Sequence, residues 1–304
     1  MFKIMFYAVL IILILIFSVP QIQVLVDGPY YEEEVDAPNN NEYAHTETHV
    51  NFLNKHFTDY FLAKEKQDLV NIIFTVLNSG VREFTFYCAQ KYNNCLDDLE
   101  FIHQEFTYFN SFLHPYNNYY NITINYDSQG RIDLKIFYLY SPREIEKLNK
   151  EIKRIWDEEI NEDMTKKEKI RAIHDYILIT SNYDRERADA ITNNADYFTD
   201  NNSHKATGPL FEKMAICSGY SDAMSLFLYK MELPNYRISN DTHIWNYVNI
   251  DNNWYHLDLT WNNPSADDGT SIIIDNYFLI SSDELVELNN GAHYYDTNIY
   301  VEAR

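Results

Sequence analysis

The stretch HIWNYVNIDNNWYHLDLTW, residues 243–261, constrains the fold more than any other part of the chain. Apolar and polar residues alternate on both sides of a central Asp-Asn dipeptide, which is typical of a two-residue type I′ turn, so the stretch predicts a β-hairpin. With that turn, Asp258 lies opposite Trp245, and His243 is its diagonal neighbour on the same face of the sheet. An imidazole and a carboxylate are therefore expected within reach of each other.

The register of this hairpin decides which side chains can meet. A three-residue turn at residues 251–253 would place His243 and Asp258 on opposite faces of the sheet. Under the two-residue turn, His256 also shares the face of Asp258 and is a rival to His243. We prefer His243 because it begins its strand, where the edge of a sheet can border a cleft.

Cys217, one of three cysteines in 304 residues, stands at the head of a predicted helix. In KMAICSGYSDAMSLFLYKMELP, apolar residues recur at helical spacing after the cysteine, and Pro234 marks the end of the helix. A thiol in the first turn lies near unpaired N–H groups and the positive end of the helix dipole, which stabilise a thiolate and can bind an oxyanion. Cys217 is therefore a candidate nucleophile, with His243 as its base and Asp258 to orient the imidazole.

Three ordered motifs, AICSGYSDA, THIWNYVNI and WYHLDLTWNNP, closely resemble the transglutaminase-like superfamily, whose pattern is roughly G-x-x-C-x-G-Y, then H-x-W-N, then W-Y-x-x-D-x-T-W. The resemblance runs from Thr165 to Pro264 and includes a helix ending in SNYD, which is common in bacterial members. It implies an α+β, papain-like fold in which the cysteine helix packs on an antiparallel sheet. It also implies that Cys217 is the nucleophile, His243 the general base and acid, and Asp258 the orienting residue.

One position departs from the family pattern. The glycine that usually stands shortly before the cysteine is missing from FEKMAIC, where Lys213 or Met214 is near its place. The approach to the oxyanion hole is therefore undefined, and no second oxyanion donor is assigned. Six further residues are expected mainly to frame the site: Tyr220, Trp245, Asn246, Trp254, Tyr255 and Trp261.

The chemistry implied by the resemblance is attack of a thiolate on an amide carbonyl, giving a thioester acyl-enzyme without a cofactor. Water as the acceptor gives proteolysis or deamidation, an amine gives transamidation, and the sequence does not select between them. The aspartates lack the spacing of a calcium loop. Two alternatives stay open: a non-catalytic surface binding module that retains the fold, and a zinc site of Cys217, His243 and Asp258 that lacks a close ligand pair.

The chain ahead of these motifs divides into further units. Residues 49–141 are interpreted as a small α/β domain of undefined role, and residues 142–304 as the transglutaminase-like domain. In the first unit, the patterns predict helices over residues 52–77 and over LDDLEFIHQEFTYFNSFL, and strands at EFTFYC, YYNITINYD and RIDLKIFYLY. Cys88 and Cys95, close together in this unit, either form a disulfide or are two reduced thiols.

Two helices follow the first unit, with Ser141 and Thr165 as their predicted N-caps. His174 lies inside the second helix, where a lone histidine is more often packed than catalytic. The polar, asparagine-rich residues 184–206 are expected to form a loop close to the cysteine segment.

The N-terminus, MFKIMFYAVLIILILIFSVPQIQVLVDG, has a lysine followed by a long apolar run. Residues 1–26 are predicted to be a membrane anchor rather than a cleaved signal, because no small-residue cleavage site follows the run. Residues 27–48 are acidic and proline-marked, which is typical of a spacer. Either interpretation places the globular part outside the cytoplasm, as a membrane-anchored or secreted protein of the cell surface.

The net charge of the chain limits the classes of molecule that it is expected to bind. With 46 acidic and 24 basic residues, the net charge is −22, which repels phosphate backbones and argues against nucleic acid as a partner. The resemblance implies a peptide or protein substrate instead. The sequence does not indicate an oligomeric state.

Overall fold

The computed structural model describes residues 35–45, 56–192, 202–263, 273–288 and 291–303, and over these ranges the chain has a mixed α/β architecture. Within them, no helix is both long and apolar enough to cross a membrane. The N-terminal residues 1–26, predicted to be an anchor or signal segment, lie outside the described part of the chain.

The first sheet lies in the N-terminal half of the chain, by which we mean the described residues up to 141, and it has the strand order β1-β2-β4-β3. Its strands are β1 (Leu62–Ala63), β2 (Glu83–Cys88), β3 (Tyr119–Tyr126) and β4 (Arg131–Tyr138). β1 runs parallel to β2, and the other pairs are antiparallel. The helices of this half are α1 (Lys66–Ser79) and α2 (Cys95–Phe112). The three predicted strands and the second predicted helix are confirmed.

The helix predicted over residues 52–77 starts later than its apolar periodicity indicates. It begins at Lys66, because Leu62 and the residue after it pair with β2 as a strand. The carboxylate of Asp68 accepts a hydrogen bond from the backbone N–H of Lys64 at 2.8 Å, which holds the turn that leads into the helix. The prediction is therefore wrong for residues 56–65, while residues 52–55 lie outside the described part of the chain.

The second sheet is antiparallel, with the strand order β10-β9-β8-β7. Its strands are β7 (Asn235–Ser239), β8 (Ile244–Ile250), β9 (Asn253–Leu257) and β10 (Phe278–Ile280). Ile250 pairs with Asn253, and the φ angles of Asp251 and Asn252 are 53° and 67°, as in a type I′ turn. The two-residue turn is confirmed, and the three-residue alternative is wrong.

Helix α6 (Cys217–Lys230) begins at the cysteine, as predicted, and packs on β7 and β8. Buried side chains such as Phe227 of the helix and Val248 of the sheet belong to one apolar cluster. The side-chain amide of Asn246 donates to the backbone oxygen of Ser221 at 2.9 Å, which fixes the helix against β8. The expected packing of the cysteine helix on an antiparallel sheet is observed.

Helices α3 (Pro142–Glu159) and α4 (Lys166–Thr180) connect the two halves of the chain. Each starts with a capping box, in which Ser141 or Thr165 exchanges hydrogen bonds with a glutamate three residues later. Both predicted N-caps are confirmed. The apolar side of α4 is buried, with Ile170, Ile173, Ile177 and Leu178 in the core.

The polar segment 184–206, predicted to be a loop, contains helix α5 (Arg185–Thr192). Asp184 begins this helix, because its carboxylate accepts a hydrogen bond from the backbone N–H of Arg187 at 3.0 Å. The prediction is wrong for this part, since an aspartate N-cap supports a helix of polar composition. Residues 193–201 lie outside the described ranges, and residues 202–206 do lie beside the cysteine segment, as expected.

The two halves of the chain share a hydrophobic core. Phe109 and Phe112 of α2 pack with Tyr236 of β7 and Trp245 of β8 in one cluster of buried side chains. The rings of Phe112 and Tyr236 lie 5.3 Å apart. The domain boundary between residues 141 and 142 stays a prediction, and the elements on its two sides are in contact.

A buried ion pair crosses the same interface. Arg237 of β7 pairs with Asp222 of α6, and their side chains are only 2% and 4% exposed. The guanidinium also donates to three oxygens of the N-terminal half: the backbone carbonyls of Asn110 and Leu113 and the side-chain oxygen of Asn118. Asp222 in turn accepts a hydrogen bond from the hydroxyl of Tyr140 at 2.7 Å. The guanidinium of Arg237 and the carboxylate of Asp222 are therefore each bound by the other and by groups of the N-terminal half.

Cys88 and Cys95 form a disulfide with a Cα–Cα distance of 6.2 Å, so the first of the two alternatives for these cysteines is observed. Cys217 is a free cysteine. Of the predicted acidic spacer 27–48, residues 35–45 are described. This part contacts the N-terminal half, since the side-chain amide of Asn41 donates to the side chain of Asn117 at 2.7 Å.

Replacing the buried arginine tests its importance for stability. Arg237→Ala is expected to lower the free energy of unfolding by about 3–5 kcal/mol, because it leaves the carboxylate of Asp222 buried without its main partner. Arg131→Ala, which removes an exposed pair with Asp133, is the matched control and should change the free energy of unfolding far less, because solvent screens that pair. Urea unfolding followed by tryptophan fluorescence measures both values, and equal losses would contradict the prediction.

Candidate active site

Cys217 is fixed by two segments that flank the start of its helix. Strand β6 (Met214–Ala215) precedes the helix and pairs in parallel with β5 (Asn182–Tyr183). The backbone N–H of Ile216, the residue before the cysteine, donates to the carbonyl of Ser203 at 2.9 Å. The cysteine is free and only partly buried, so its backbone is held in place while the thiol can still be reached from solvent.

Gly219, two residues after the cysteine, allows another segment to cross the start of the helix. A Cβ at this position would stand 2.2 Å from the carbonyl oxygen of Ser203 and 3.1 Å from that of Lys205. A side chain does not fit there, so packing requires the glycine of the C-S-G-Y motif. Because the Ser203 carbonyl also binds the N–H of Ile216, the crossing segment fixes the backbone on both sides of Cys217.

Lys213 stands close to the position where the motif pattern expects glycine, and it has a glycine-type backbone. Its φ of 61° and ψ of 25° are left-handed, which costs a residue with a Cβ roughly 1–2 kcal/mol. Its carbonyl accepts the N–H of Asn182 at 2.9 Å, and its Nζ donates to the carbonyl of Leu210 at 3.1 Å. The chain therefore makes a left-handed turn at Lys213, four residues before the cysteine, without a glycine.

His243 and Asp258 meet as the hairpin register predicts. Nε2 of His243 lies 2.5 Å from Oδ2 of Asp258, and both side chains are buried. The other carboxylate oxygen accepts the backbone N–H of Trp261 at 3.1 Å, so Asp258 also caps helix α7 (Leu259–Asn262). The thiol of Cys217 lies close enough to His243 to raise the pKa of its ring, and since Nε2 faces the carboxylate, Nδ1 is the nitrogen left for the thiol. The structure thus brings the three predicted site residues together.

The charges of this group support one another. Burial acts to lower the pKa of His243, but the carboxylate of Asp258 and the neighbouring thiol of Cys217 raise it to about 10. Burial acts to raise the pKa of Asp258, but His243 and a further histidine, His293, hold it well below its ordinary value. At neutral pH the arrangement therefore favours an imidazolium between two groups that can each carry negative charge.

His256, the rival base, is engaged elsewhere. The indole N–H of Trp245 donates to Nδ1 of His256 at 3.0 Å, so its Nε2–H is the donor toward Ser282, 3.1 Å away. Burial, together with the nearby His293, lowers the pKa of His256 to about 3, so it is neutral. The stacking of Trp245 on His243, with ring centroids 5.5 Å apart, shows that His256 supports the site through Trp245.

His174 is a packed residue, as its helical position suggested. Its Nε2 lies 3.0 Å from the side-chain amide of Asn262, and its Nδ1 lies 2.7 Å from Asp175. Burial lowers its pKa, and Asp175 acts in the opposite direction. His174 connects helix α4 to α7 behind the site.

His293 completes the site, and no sequence pattern pointed to it. Its Nε2 lies 2.7 Å from the same Oδ2 of Asp258 that binds His243, and its side chain is 3% exposed. The residue comes from the segment GAHYYD near the C-terminus, which has neither strand alternation nor a helical stripe. Only the folded chain brings it to Asp258.

In the described ranges, the side chains that could hold a metal ion together are His243, Asp258 and His293. The ligand atoms of His243, Asp258 and His293 all lie within 4.8 Å of one another. Two ligands about 2.1 Å from one tetrahedral zinc ion stand about 3.4 Å apart. Oδ2 of Asp258 is 2.5 Å and 2.7 Å from the two nitrogens, which are hydrogen-bond distances. These distances fit hydrogen bonds from the two imidazoles to the carboxylate. A bound metal ion would require the two nitrogens to move away from the carboxylate oxygen.

Comparison with solved structures gives a weak similarity. A solved crystal structure of a TGase aligns with a TM-score of 0.34 and 14% identity, covering 47% of this chain and 44% of that protein. The chain thus spans less than half of the length of that protein. The sequence matches no family model and no curated protein. An overlap this weak transfers no function, so the chemistry is taken from the residues themselves.

The strained lysine before the cysteine gives a stability prediction. Lys213→Gly is expected to raise the free energy of unfolding by about 1 kcal/mol, because glycine adopts the left-handed conformation without a clashing Cβ. Lys147→Gly, at an exposed position inside helix α3, is the matched control and should lower it by about 1 kcal/mol. Urea unfolding measures both, and a loss of stability in Lys213→Gly would contradict the prediction.

The raised pKa of His243 gives a pH prediction. Its pKa is about 10 in the folded chain and about 6.5 when unfolded, so its stabilisation is complete below about pH 6.5 and is lost as the pH rises towards 10. Between pH 7 and pH 9, the free energy of unfolding of a Cys217→Ser chain, in which no free thiol titrates, should therefore fall more steeply than that of the same chain with His243→Gln. The extra slope is at most about 1.4 kcal/mol per pH unit. Urea unfolding at three pH values checks it, and parallel slopes would show that His243 is not protonated.

Proposed function

We propose that the chain is a transglutaminase-like thiol enzyme that acts on amide bonds of peptides or proteins through Cys217, His243 and Asp258. The observation that carries the proposal is the hydrogen bond between the imidazole of His243 and the carboxylate of Asp258, with the thiol of Cys217 beside that imidazole at the start of helix α6. The three ordered sequence motifs and the packing of α6 on the antiparallel sheet support the same family.

In the first half of the proposed reaction, the thiolate of Cys217 attacks the carbonyl carbon of the amide. A C–S bond forms, and the carbonyl electron pair moves onto oxygen, to which unpaired N–H groups of the first turn of α6 can donate. The imidazolium of His243 then gives its Nδ1 proton to the leaving nitrogen as the C–N bond breaks. An amine leaves, and the acyl group stays on Cys217 as a thioester.

In the second half, a nucleophile attacks the thioester and neutral His243 accepts its proton. The C–S bond breaks, and Cys217 leaves as a thiolate beside the new imidazolium, which restores the starting state. Water gives net hydrolysis, and a primary amine gives net transamidation. Asp258 keeps Nε2 protonated and holds the ring toward the thiol in both halves. Every proton in these steps is carried by protein groups or by the reactants.

We also propose that the enzyme works outside the cytoplasm, held at the membrane by residues 1–26 or secreted. The disulfide between Cys88 and Cys95 supports an oxidising compartment, because disulfides are rare where glutathione keeps thiols reduced. The net charge of −22 supports protein or peptide partners over nucleic acids. The apolar N-terminal run supports the attachment to a membrane.

The pH dependence of thiol alkylation tests the proposed pair. At pH 6, an unperturbed cysteine with a pKa of about 8.5 is less than about 1% thiolate, so iodoacetamide reacts slowly with it. Cys217 in the wild type is expected to react at pH 6 at least tenfold faster than in His243→Ala, which lacks the imidazolium. Intact-mass spectrometry without reductant follows the reaction, since Cys88 and Cys95 are in the disulfide.

Cys217→Ser is the blank for that measurement, because it removes the free thiol and leaves the disulfide intact. Equal, slow alkylation of the wild type and His243→Ala would sink the catalytic proposal and favour the non-catalytic binding module. If the wild type is reactive, incubation with glutamine-containing peptides and a fluorescent primary amine separates the acceptors. Incorporation of the amine indicates transamidation, whereas release of ammonia or peptide cleavage indicates hydrolysis.

A further inference from the structure

We infer that His293 is a second positioning histidine of the site, which holds Asp258 for its pairing with His243. The inference rests on the proposed function and assigns a role in it to the segment 291–303. Nε2 of His293 lies 2.7 Å from Oδ2 of Asp258, beside Nε2 of His243 at 2.5 Å. With the N–H of Trp261 on Oδ1, three donors from three parts of the chain fix one carboxylate.

The ring of His293 is held by aromatic side chains on several sides. Tyr277 stacks on it with centroids 4.8 Å apart and an interplanar angle of 18°. Trp245 and Trp261 meet it edge to face, at 4.9 Å and 5.3 Å. His293 thus has a defined ring plane, and its N–H toward Asp258 is aimed by packing.

One side chain, Asn240, connects the segments that carry the two histidines. Its amide N–H groups donate to the carbonyls of Ala292 and Tyr294, each at 2.8 Å, on the two sides of His293. Its side-chain oxygen accepts the backbone N–H of His243 at 2.9 Å. A shift of either histidine backbone therefore strains the other, and Asp258 receives both imidazoles in a fixed geometry.

The physical role of His293 follows from the place of Asp258 between the two rings. A carboxylate with only His243 and Trp261 as donors could turn its Oδ2 away from the line to Nε2 of His243. The hydrogen bond from His293 prevents this rotation of the carboxylate, so the ring of His243 keeps Nδ1 toward the thiol of Cys217. His293 acts on the reaction through its hydrogen bond to Asp258.

Two substitutions at His293 separate hydrogen bonding from packing. His293→Gln keeps an N–H donor near the position of Nε2 but loses the ring, whereas His293→Phe keeps the ring against Tyr277 but loses the donor. We expect the alkylation rate of Cys217 at pH 6 to fall roughly tenfold in His293→Phe, the loss of one charge-assisted hydrogen bond, and to stay within about threefold of the wild type in His293→Gln.

A third variant tests the role without changing the histidine. Asn240→Asp keeps the acceptor for the N–H of His243 and loses the donors to the carbonyls beside His293. It should slow alkylation in the wild-type background and add little to His293→Phe, because both changes act through the same hydrogen bond. Additive losses would overturn the connection between Asn240 and His293. This variant also keeps the inference testable if His293→Phe does not fold.

The outcomes distinguish this inference from the function on which it rests. A wild type without reactivity at pH 6 overturns the proposed function. A reactive wild type with an unchanged His293→Phe, or with loss in His293→Gln alone, overturns only the role of His293. Treatment of the full chain with EDTA should leave the rates unchanged. A fall in rate after EDTA, restored by zinc, would show that an ion rather than a hydrogen bond joins His293 to Asp258.

Discussion

The buried pair between Arg237 and Asp222 is the interaction on which the geometry of the site depends. Asp222 lies on the helix that Cys217 begins, and Arg237 lies on the strand beside the one that follows His243, so the pair sets the separation of thiol and imidazole. The hydroxyl of Tyr140 extends this network, because it donates to Asp222 and accepts the N–H of Ala206 in the segment that crosses the cysteine helix. The N-terminal half thus acts as a scaffold that holds the arginine from behind. A buried charge pair contributes little net stability over an apolar contact, but it permits few alternative arrangements.

The site also shows how one residue type takes different charge states according to its contacts. His243 is buried, yet the carboxylate beside it outweighs desolvation and keeps the ring protonated. His256 is buried to a similar degree and receives a hydrogen bond from an indole N–H, which requires a lone pair on the ring and therefore a neutral imidazole. The two rings lie on adjacent strands of one hairpin, on the same sheet face. The charge states differ because a carboxylate lies beside His243, whereas an indole N–H donates a hydrogen bond to His256.

Much of the site could be predicted because its parts follow local rules. A two-residue turn fixes a hairpin register, and that register alone brought His243 and Asp258 together. The helix that starts at Cys217 was predictable from periodicity and a terminal proline. His293 and Arg237 were not, because each reaches its partner through tertiary contacts that no spacing encodes. The late start of α1 and the helix α5 were missed for different reasons. Leu62 and the residue after it pair with β2 as a strand, and Asp184 caps a helix of polar composition.

The disulfide of the first sheet bears on how Cys217, the proposed nucleophile, stays unpaired while the chain folds. Three cysteines allow three pairings, and two of them would consume Cys217. Cys88 and Cys95 are separated by 7 residues, while Cys217 lies far along the chain and is made later. Because closure of a short loop loses less chain entropy than closure of a long one, the harmless pairing has the kinetic advantage from the moment both cysteines emerge. The short spacing of Cys88 and Cys95 thus favours the pairing that leaves the thiol of Cys217 free, as it is in the folded chain.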